Sequence, residues 1–119
     1  MDIQNFEYWY KAKVVSVYDG DTIRVTIDVG FGIKTGGSKG EPLRLYGIDT
    51  PELRGEEREQ GIMVRDKLRE LIDGKEVIIK TLKDKTGKYG RYLAIIHLPD
   101  GTNVNKWLLD NGYAKEYMV

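Results

Sequence analysis

The chain has 119 residues, 40% of them hydrophobic and 32% charged, a composition typical of one soluble globular domain. Its 19 basic and 19 acidic residues give a net charge of zero, so no overall positive charge would hold nucleic acid or an anionic membrane nonspecifically. The absence of cysteine excludes disulfides and thiolate zinc sites, and the single histidine excludes metal motifs built on a histidine pair.

Length and the N-terminal sequence lead to further expectations. We expect one domain over residues 1–119, with a core of about residues 8–117, and a monomer. No apolar run approaches the length of a membrane-spanning helix, so we expect no membrane association. Residues 1–10 lack the basic and apolar segments of a secretory signal, which predicts a cytoplasmic protein unless a signal has been removed.

The first half of the chain carries strand signals. Residues Thr22–Val29 alternate between polar and β-branched apolar side chains, which predicts a half-buried strand. Trp9–Val17 predicts the preceding strand of a hairpin, joined to it by a turn at residues 18–21. Five glycines among residues 30–40 predict a mobile connection, and a third strand is predicted at Leu43–Tyr46.

The second half adds two helices and two strands. Apolar residues recur at helical spacing within Glu59–Ile72, and a second, short helix is predicted from its N-cap Asn103 to Gly112. Two strands, Glu76–Lys80 and Arg91–Leu98, lie between the helices. The order β-β-β-α-β-β-α predicts an α+β fold, a five-stranded Greek-key barrel of the OB type.

Acidic residues occur in two short segments. Asp19 and Asp21 belong to the hairpin turn, and Asp49 and Glu52 follow the third strand. If the first three strands are neighbours, the two segments approach one end of the sheet, where their oxygens suit a hard cation such as Ca²⁺ or Mg²⁺. The alternative is that the aspartates and the glycine between them only form the turn.

Basic residues that suit phosphate lie near these acids. Arg44 is on the third predicted strand, and Arg91 begins the fifth, directly after Lys88, Tyr89 and a glycine. Planar guanidinium groups bind phosphate oxygens through two donors, and a tyrosine can stack on a base. Taken singly, each arginine could equally form a surface salt bridge.

Other candidate residues have simpler explanations. Lys34–Thr35 lacks the glycine spacing of a phosphate-binding loop, which excludes a nucleoside triphosphatase of that class. His97 lies in an apolar run and is interpreted as a strand residue rather than a catalyst. We expect Trp9, Trp107 and most tyrosines to pack in the core or at the barrel ends.

Taken together, segments in this order resemble the staphylococcal nuclease (thermonuclease) family. The matching segments are Val17–Thr22, Leu43–Glu52, Lys88–Ala94, Val104–Leu109 and Gly112–Ala114. They extend over nearly the whole chain. The resemblance implies an OB-fold nuclease that hydrolyses phosphodiester bonds of DNA and RNA with Ca²⁺, and base stacking would favour single-stranded substrate.

The resemblance also assigns roles to the acidic residues. Asp21 and Asp49 match two carboxylate ligands of the ion, and Thr50 matches the residue that offers it a backbone carbonyl. Asp19 matches an acidic neighbour beyond these ligands. Glu52 matches the carboxylate that orients or deprotonates the attacking water, so it is the candidate general base.

Phosphate contacts are assigned in the same way. Arg44 and Arg91 match the two guanidinium groups that hold the phosphate and stabilise the transition state. Lys88 and Tyr89 match residues that hold the terminal phosphate of a bound nucleotide. Longer family members continue into a third helix, so the last wall of the nucleotide pocket is expected from Tyr113 or Tyr117, between which the sequence does not choose.

Two other classes of function compete with a nuclease. A noncatalytic nucleic-acid-binding or peptide-binding module would keep the fold without the catalytic residues, and the intact acids and arginines argue against it. A single-strand-binding OB protein predicts a basic groove without clustered acids. The acidic segments and the zero net charge disfavour that class.

Overall fold

The computed structural model describes residues 8–86 and 91–117, and the side chains of these residues apart from 83–86. The strands are β1 (Trp9–Asp19), β2 (Thr22–Asp28), β3 (Lys34–Thr35), β4 (Glu41–Leu45), β5 (Ile48–Asp49), β6 (Glu76–Thr86), β7 (Tyr92–His97) and β8 (Lys115–Glu116). The helices are α1 (Arg58–Ile72), preceded by a 3₁₀ turn at Gly55–Glu57, and α2 (Val104–Asp110). No helix among these residues is long and apolar enough to cross a membrane.

Five strands close into a barrel. β1 pairs with both β2 and β6, β6 pairs with β7, and β2 pairs with β4, all of them antiparallel. The parallel pairing of β4 with β7 closes the ring. The predicted OB-type barrel with two helices is therefore confirmed.

The hydrophobic core lies inside the barrel because side chains along each strand point alternately inward and outward. Val14, Ile23, Val25 and Leu43 point inward and are 1% exposed or less. α1 contributes its apolar stripe, Val64, Leu68 and Ile72, to the same cluster. Inward side chains of β4 therefore alternate with outward ones such as Arg44, which lies between two buried leucines.

The structure corrects some predicted boundaries. β6 continues to Thr86 instead of ending at Lys80, because its far end pairs with the start of β7 after an irregularity. The glycine-rich connection contains the short strand β3, which pairs with β2, and carries Phe31 at its tip, 99% exposed. Its predicted mobility stays a prediction.

Candidate active site

The hairpin turn between β1 and β2 lies against the loop that follows β5. A Cβ atom on Gly20 would lie 2.8 Å from Cβ of Thr50 and 2.7 Å from Cγ1 of Val64, so only glycine allows this approach. The approach brings Asp21 next to Thr50, whose backbone N–H donates to Oδ2 of Asp21 at 3.3 Å. The two acidic segments predicted to meet are therefore adjacent, and the turn does more than reverse the chain.

Arg44 connects the two segments. Its Nη1 lies 2.9 Å from Oδ2 of Asp21, and its Nη2 lies 3.8 Å from Oδ1 of Asp49. Nη2 also donates to the backbone carbonyl of Ile48 at 3.2 Å. With its side chain only 14% exposed, the guanidinium is fixed in place by several partners on both sides.

Arg91, the residue before β7, is linked to Asp21 through Thr22. Its Nη1 donates to Oγ1 of Thr22 at 2.7 Å, and this hydroxyl donates to Oδ1 of Asp21 at 3.3 Å. Thr22 also pairs with Arg44 across the β2–β4 ladder. We call these residues, Asp21, Thr22, Arg44, Asp49 and Arg91, the Arg44 network.

Thr22 is the member that sequence reasoning missed. It is buried at 7% exposure and joins the two arginines through Asp21. The only signal in the sequence is a hydroxyl residue directly after the second aspartate of the turn. In a strand of alternating residues, such a threonine looks like an ordinary β-former.

Asp19 places a second carboxyl group in the hairpin turn, close to that of Asp21. Burial raises the pKa of Asp19 from 3.8 to about 7, with the charge of Asp21 as the next cause. Oδ1 of Asp19 also accepts the backbone N–H of Asp21 at 3.0 Å, which opposes the rise. One of the two carboxyl groups of the turn is therefore partly protonated near neutral pH.

Glu52 lies apart from the Arg44 network, on an exposed loop before α1. Its backbone N–H donates to Oε2 of Glu57 at 2.9 Å. A Cβ on Gly61 of α1 would collide with the carbonyl oxygen of Glu52, so the loop rests directly on the helix. The backbone at Glu52 is thus positioned by α1, while its side chain faces solvent.

The remaining predicted residues divide into two groups. Lys88 and Tyr89 lie outside the described residues. The ring of Tyr117 lies under the guanidinium of Arg44, 5.3 Å from its centre, whereas Tyr113 packs on Trp107 with ring centres 5.5 Å apart. Of the two tyrosines, Tyr117 is thus the one in contact with the network.

The donor atoms near Asp21 suit a hard cation. The carboxylates of Asp21 and Asp49 face one another across Arg44, and the buried Oγ1 of Thr50 has no hydrogen-bond partner among the described residues. Oxygen donors of this kind fit Ca²⁺. Within residues 8–86 and 91–117, however, no group of three or more acidic or histidine side chains gathers around one point, so backbone oxygens and water would have to complete a shell.

A closed five-stranded barrel with two helices defines an OB-type α+β protein. The model of the staphylococcal nuclease homologue family matches residues 42–119, and the chain belongs to this family. The predicted family is therefore confirmed.

Curated relatives extend the comparison. Proteins named "Uncharacterized endonuclease" from Escherichia coli O157:H7 and Escherichia coli are 33% identical over 88% of this chain. The chain spans 60% of the length of each. Endonuclease YhcR of Bacillus subtilis is 29% identical over 92% of this chain, which corresponds to 9% of that protein.

Proposed function

We propose that this chain is a nuclease that hydrolyses phosphodiester bonds of DNA and RNA, preferably in single strands, with Ca²⁺ as its cofactor. Family membership and the endonuclease names of the relatives support the reaction class. The observation that carries the proposal is the convergence of Arg44 and Arg91 on the Asp21–Thr22 pair. Two forked donors beside clustered carboxylates suit a phosphodiester better than a neutral ligand.

The arginines would hold the scissile phosphate. Their donors are directed to Asp21 and Thr22, so a phosphate would take over contacts that are already oriented. Negative charge grows on the phosphoryl oxygens as the water oxygen bonds to phosphorus and the bond to the sugar oxygen breaks. Fixed guanidinium groups stabilise that charge without reorganising.

Asp21, Asp49 and the backbone carbonyl of Thr50 would hold the Ca²⁺ ion. When bound, the ion supplies additional positive charge at the phosphate. It would also offset the repulsion by Asp21 that, after burial, is the second cause of the raised pKa of Asp19.

Glu52 would accept the proton of the attacking water. Its exposed side chain leaves room for water, and its loop is held by Glu57 and by the contact with α1. Lys88 and Tyr89 would bind a terminal phosphate, and Tyr117 would form the last wall of the pocket beside Arg44.

Cleavage of single-stranded DNA tests the proposal. We expect fragments with Ca²⁺ and none after addition of a chelator. Glu52→Gln should lower kcat by roughly 10²-fold because an amide cannot accept the proton. The matched control is Glu56→Gln, which alters an exposed carboxylate of the 3₁₀ turn that follows this loop and should leave kcat unchanged.

One result would refute the proposed activity, and another would refute the role of Glu52. A folded parent that binds single-stranded DNA but never cuts it, with or without Ca²⁺, would indicate the noncatalytic binding module instead. Equal turnover of Glu52→Gln and Glu56→Gln would remove Glu52 from the mechanism.

A further inference from the structure

An apolar hairpin projects from one end of the barrel. β2 pairs with β3, and residues 29–33 connect the two strands. The backbone N–H of Val29 donates to the carbonyl oxygen of Ile33 at 3.0 Å, which closes the connection into a tight loop. We call residues 29–33 the Phe31 hairpin.

The Phe31 hairpin presents apolar side chains to solvent. Val29 and Ile33 are exposed, and Phe31 at the tip is almost completely so. Phe31 has a backbone φ of 56°, and the glycines on either side of it, Gly30 and Gly32, have φ of 86° and 71°. A residue other than glycine seldom adopts a positive φ, and such backbone conformations are typical of functional segments. Clustered apolar side chains on a surface are in turn typical of a contact with another molecule.

Beside the hairpin, the same end of the barrel contains a cavity of about 450 Å³, which we call the barrel-end cavity. Its lining is mainly aliphatic and aromatic and includes Tyr8, Tyr10, Val29 and Leu82. Val29 belongs both to the hairpin and to this lining, so the two features are adjacent. Phe31 does not fill the cavity of its own chain, because its side chain lies in solvent.

Two opposite charges flank these apolar features. Lys34 directly follows the Phe31 hairpin, and Glu41 lines the barrel-end cavity. Within the part of the chain whose side chains the structure describes, neither of them forms an ion pair. Both charges are therefore available to a second molecule that binds at this end of the barrel.

We propose that two copies of this chain form a symmetric dimer, in which each copy inserts Phe31 into the barrel-end cavity of the other. A two-fold interface requires that one surface carry both the inserting and the receiving group. This end of the barrel meets that requirement, because the Phe31 hairpin and the cavity are adjacent in one chain. The two-fold axis would also bring Lys34 of each copy towards Glu41 of the other. A second copy is favoured over an unrelated partner because the chain itself supplies both complementary surfaces.

The dimer would leave the Arg44 network accessible in both copies. Thr22 is the first residue of β2, whereas the Phe31 hairpin follows the last, and seven residues of strand extend over about 20 Å. The inference is therefore independent of the proposed nuclease function, and it replaces the monomer expected from the sequence. Because few side chains make the contact, we expect a weak dimer with a Kd of about 10 to 100 µM.

Sedimentation equilibrium of the full chain tests the proposal. Between about 2 and 300 µM, the average mass of the parent should rise from that of one chain towards that of two. Phe31→Ser removes the inserted ring and should weaken dimerisation by about tenfold or more. Leu82→Lys should have the same effect, because it places a charge in the cavity that receives the ring.

Tyr18→Ser is the matched control, since it removes an exposed aromatic ring near the opposite end of β2 and should dimerise like the parent. An equimolar mixture of Phe31→Ser and Leu82→Lys provides a further check. One variant keeps an intact cavity and the other an intact hairpin, so the mixture should associate more strongly than either variant alone. Circular dichroism verifies folding, and Phe31→Ser changes an exposed residue, so it remains informative if Leu82→Lys fails to fold.

Three outcomes overturn the inference. They are a parent that stays monomeric over the whole range, a folded Phe31→Ser variant that dimerises like the parent, and a folded Leu82→Lys variant that does so. A monomeric parent whose binding of a labelled thymidine 12-mer in chelator is weakened by Phe31→Ser would show that the hairpin contacts nucleic acid instead. Cleavage is measured separately with Ca²⁺. A parent that cuts DNA as a monomer refutes the dimer alone, and one that dimerises through Phe31 but never cuts refutes the nuclease alone.

Discussion

Two places in the molecule put a cation over an aromatic ring, and their surroundings differ. Arg44 lies 5.3 Å from the ring centre of Tyr117 and is joined to Asp21 and Asp49. Nζ of Lys80 lies 5.5 Å from the ring centre of Trp9, whose ring contacts the tilted ring of His97 with centres 5.3 Å apart. We call Trp9, Lys80 and His97 the Trp9 group.

The difference lies in what neutralises the charge. In the Arg44 network, the cation is ion-paired to carboxylates from two separate segments, so it holds them together. In the Trp9 group, burial and the charge of Lys80 lower the pKa of His97 and favour its neutral form. A cation over a ring is therefore a common packing arrangement, and only the added carboxylates and second arginine make one of the two a candidate site.

The largest expected effect comes from the arginines. Arg44→Lys and Arg91→Lys keep the charge but lose the forked donor, so each should lower kcat on single-stranded DNA by roughly 10²-fold or more. The measurement is kcat at saturating Ca²⁺, with circular dichroism as the folding control. Folded lysine variants that keep more than about a third of parent turnover would show that these arginines are ordinary cations like Lys80. The Arg44 network would then not differ from the Trp9 group in function.

A smaller effect is expected at Asp19. Because its folded pKa of about 7 lies above its ordinary 3.8, the metal-free parent should lose stability as pH rises from about 4 to 7. Asp19→Asn keeps the acceptor for the N–H of Asp21 and lacks the buried charge. Relative to the parent, it should gain about 1 kcal/mol or more in free energy of unfolding between pH 4 and pH 8, in chelator.

Urea denaturation at several pH values provides this measurement. The difference in free energy of unfolding between Asp19→Asn and the parent could instead be the same at pH 4 and pH 8. That result would mean that the turn carries no excess negative charge, because the arginines of the Arg44 network already neutralise it.

The smallest effect is expected at His97, the single histidine of the chain. Its folded pKa is lowered, so the parent should lose stability as pH falls below the ordinary value of 6.5. His97→Gln removes this loss, and its melting temperature relative to the parent should rise by no more than a few degrees between pH 8 and pH 5. A relative fall instead would mean that the histidine is charged in the folded protein.

Much of the fold followed from local pattern. Alternation over Thr22–Val29 located β2 nearly to its ends, and helical spacing located α1 to within one residue at its start. The extension of β6 to Thr86 escaped prediction because it depends on pairing with β7 and not on the pattern of its own residues. The same applies to the two-residue strands β3, β5 and β8.

The sequence predicted which residues belong to the candidate site, but not which of them contact one another. The motifs named Asp21, Arg44 and Asp49, yet nothing local shows that Arg44 lies between the two carboxylates. Thr22 as a link and Tyr117 as the contacting ring both depend on distances between segments far apart in sequence.

The bond from Arg91 to Thr22 joins residues 69 positions apart, across the only parallel pairing of the described barrel. Contacts of such high sequence separation form late in folding, because the loop between the partners must be closed first. The hairpin of β1 and β2 can already carry Asp21 and Thr22 in an unfinished chain, but without Arg91. A partly folded molecule in which only this hairpin has formed would therefore hold the acids without the second arginine, and the Arg44 network would be complete only after the barrel closes.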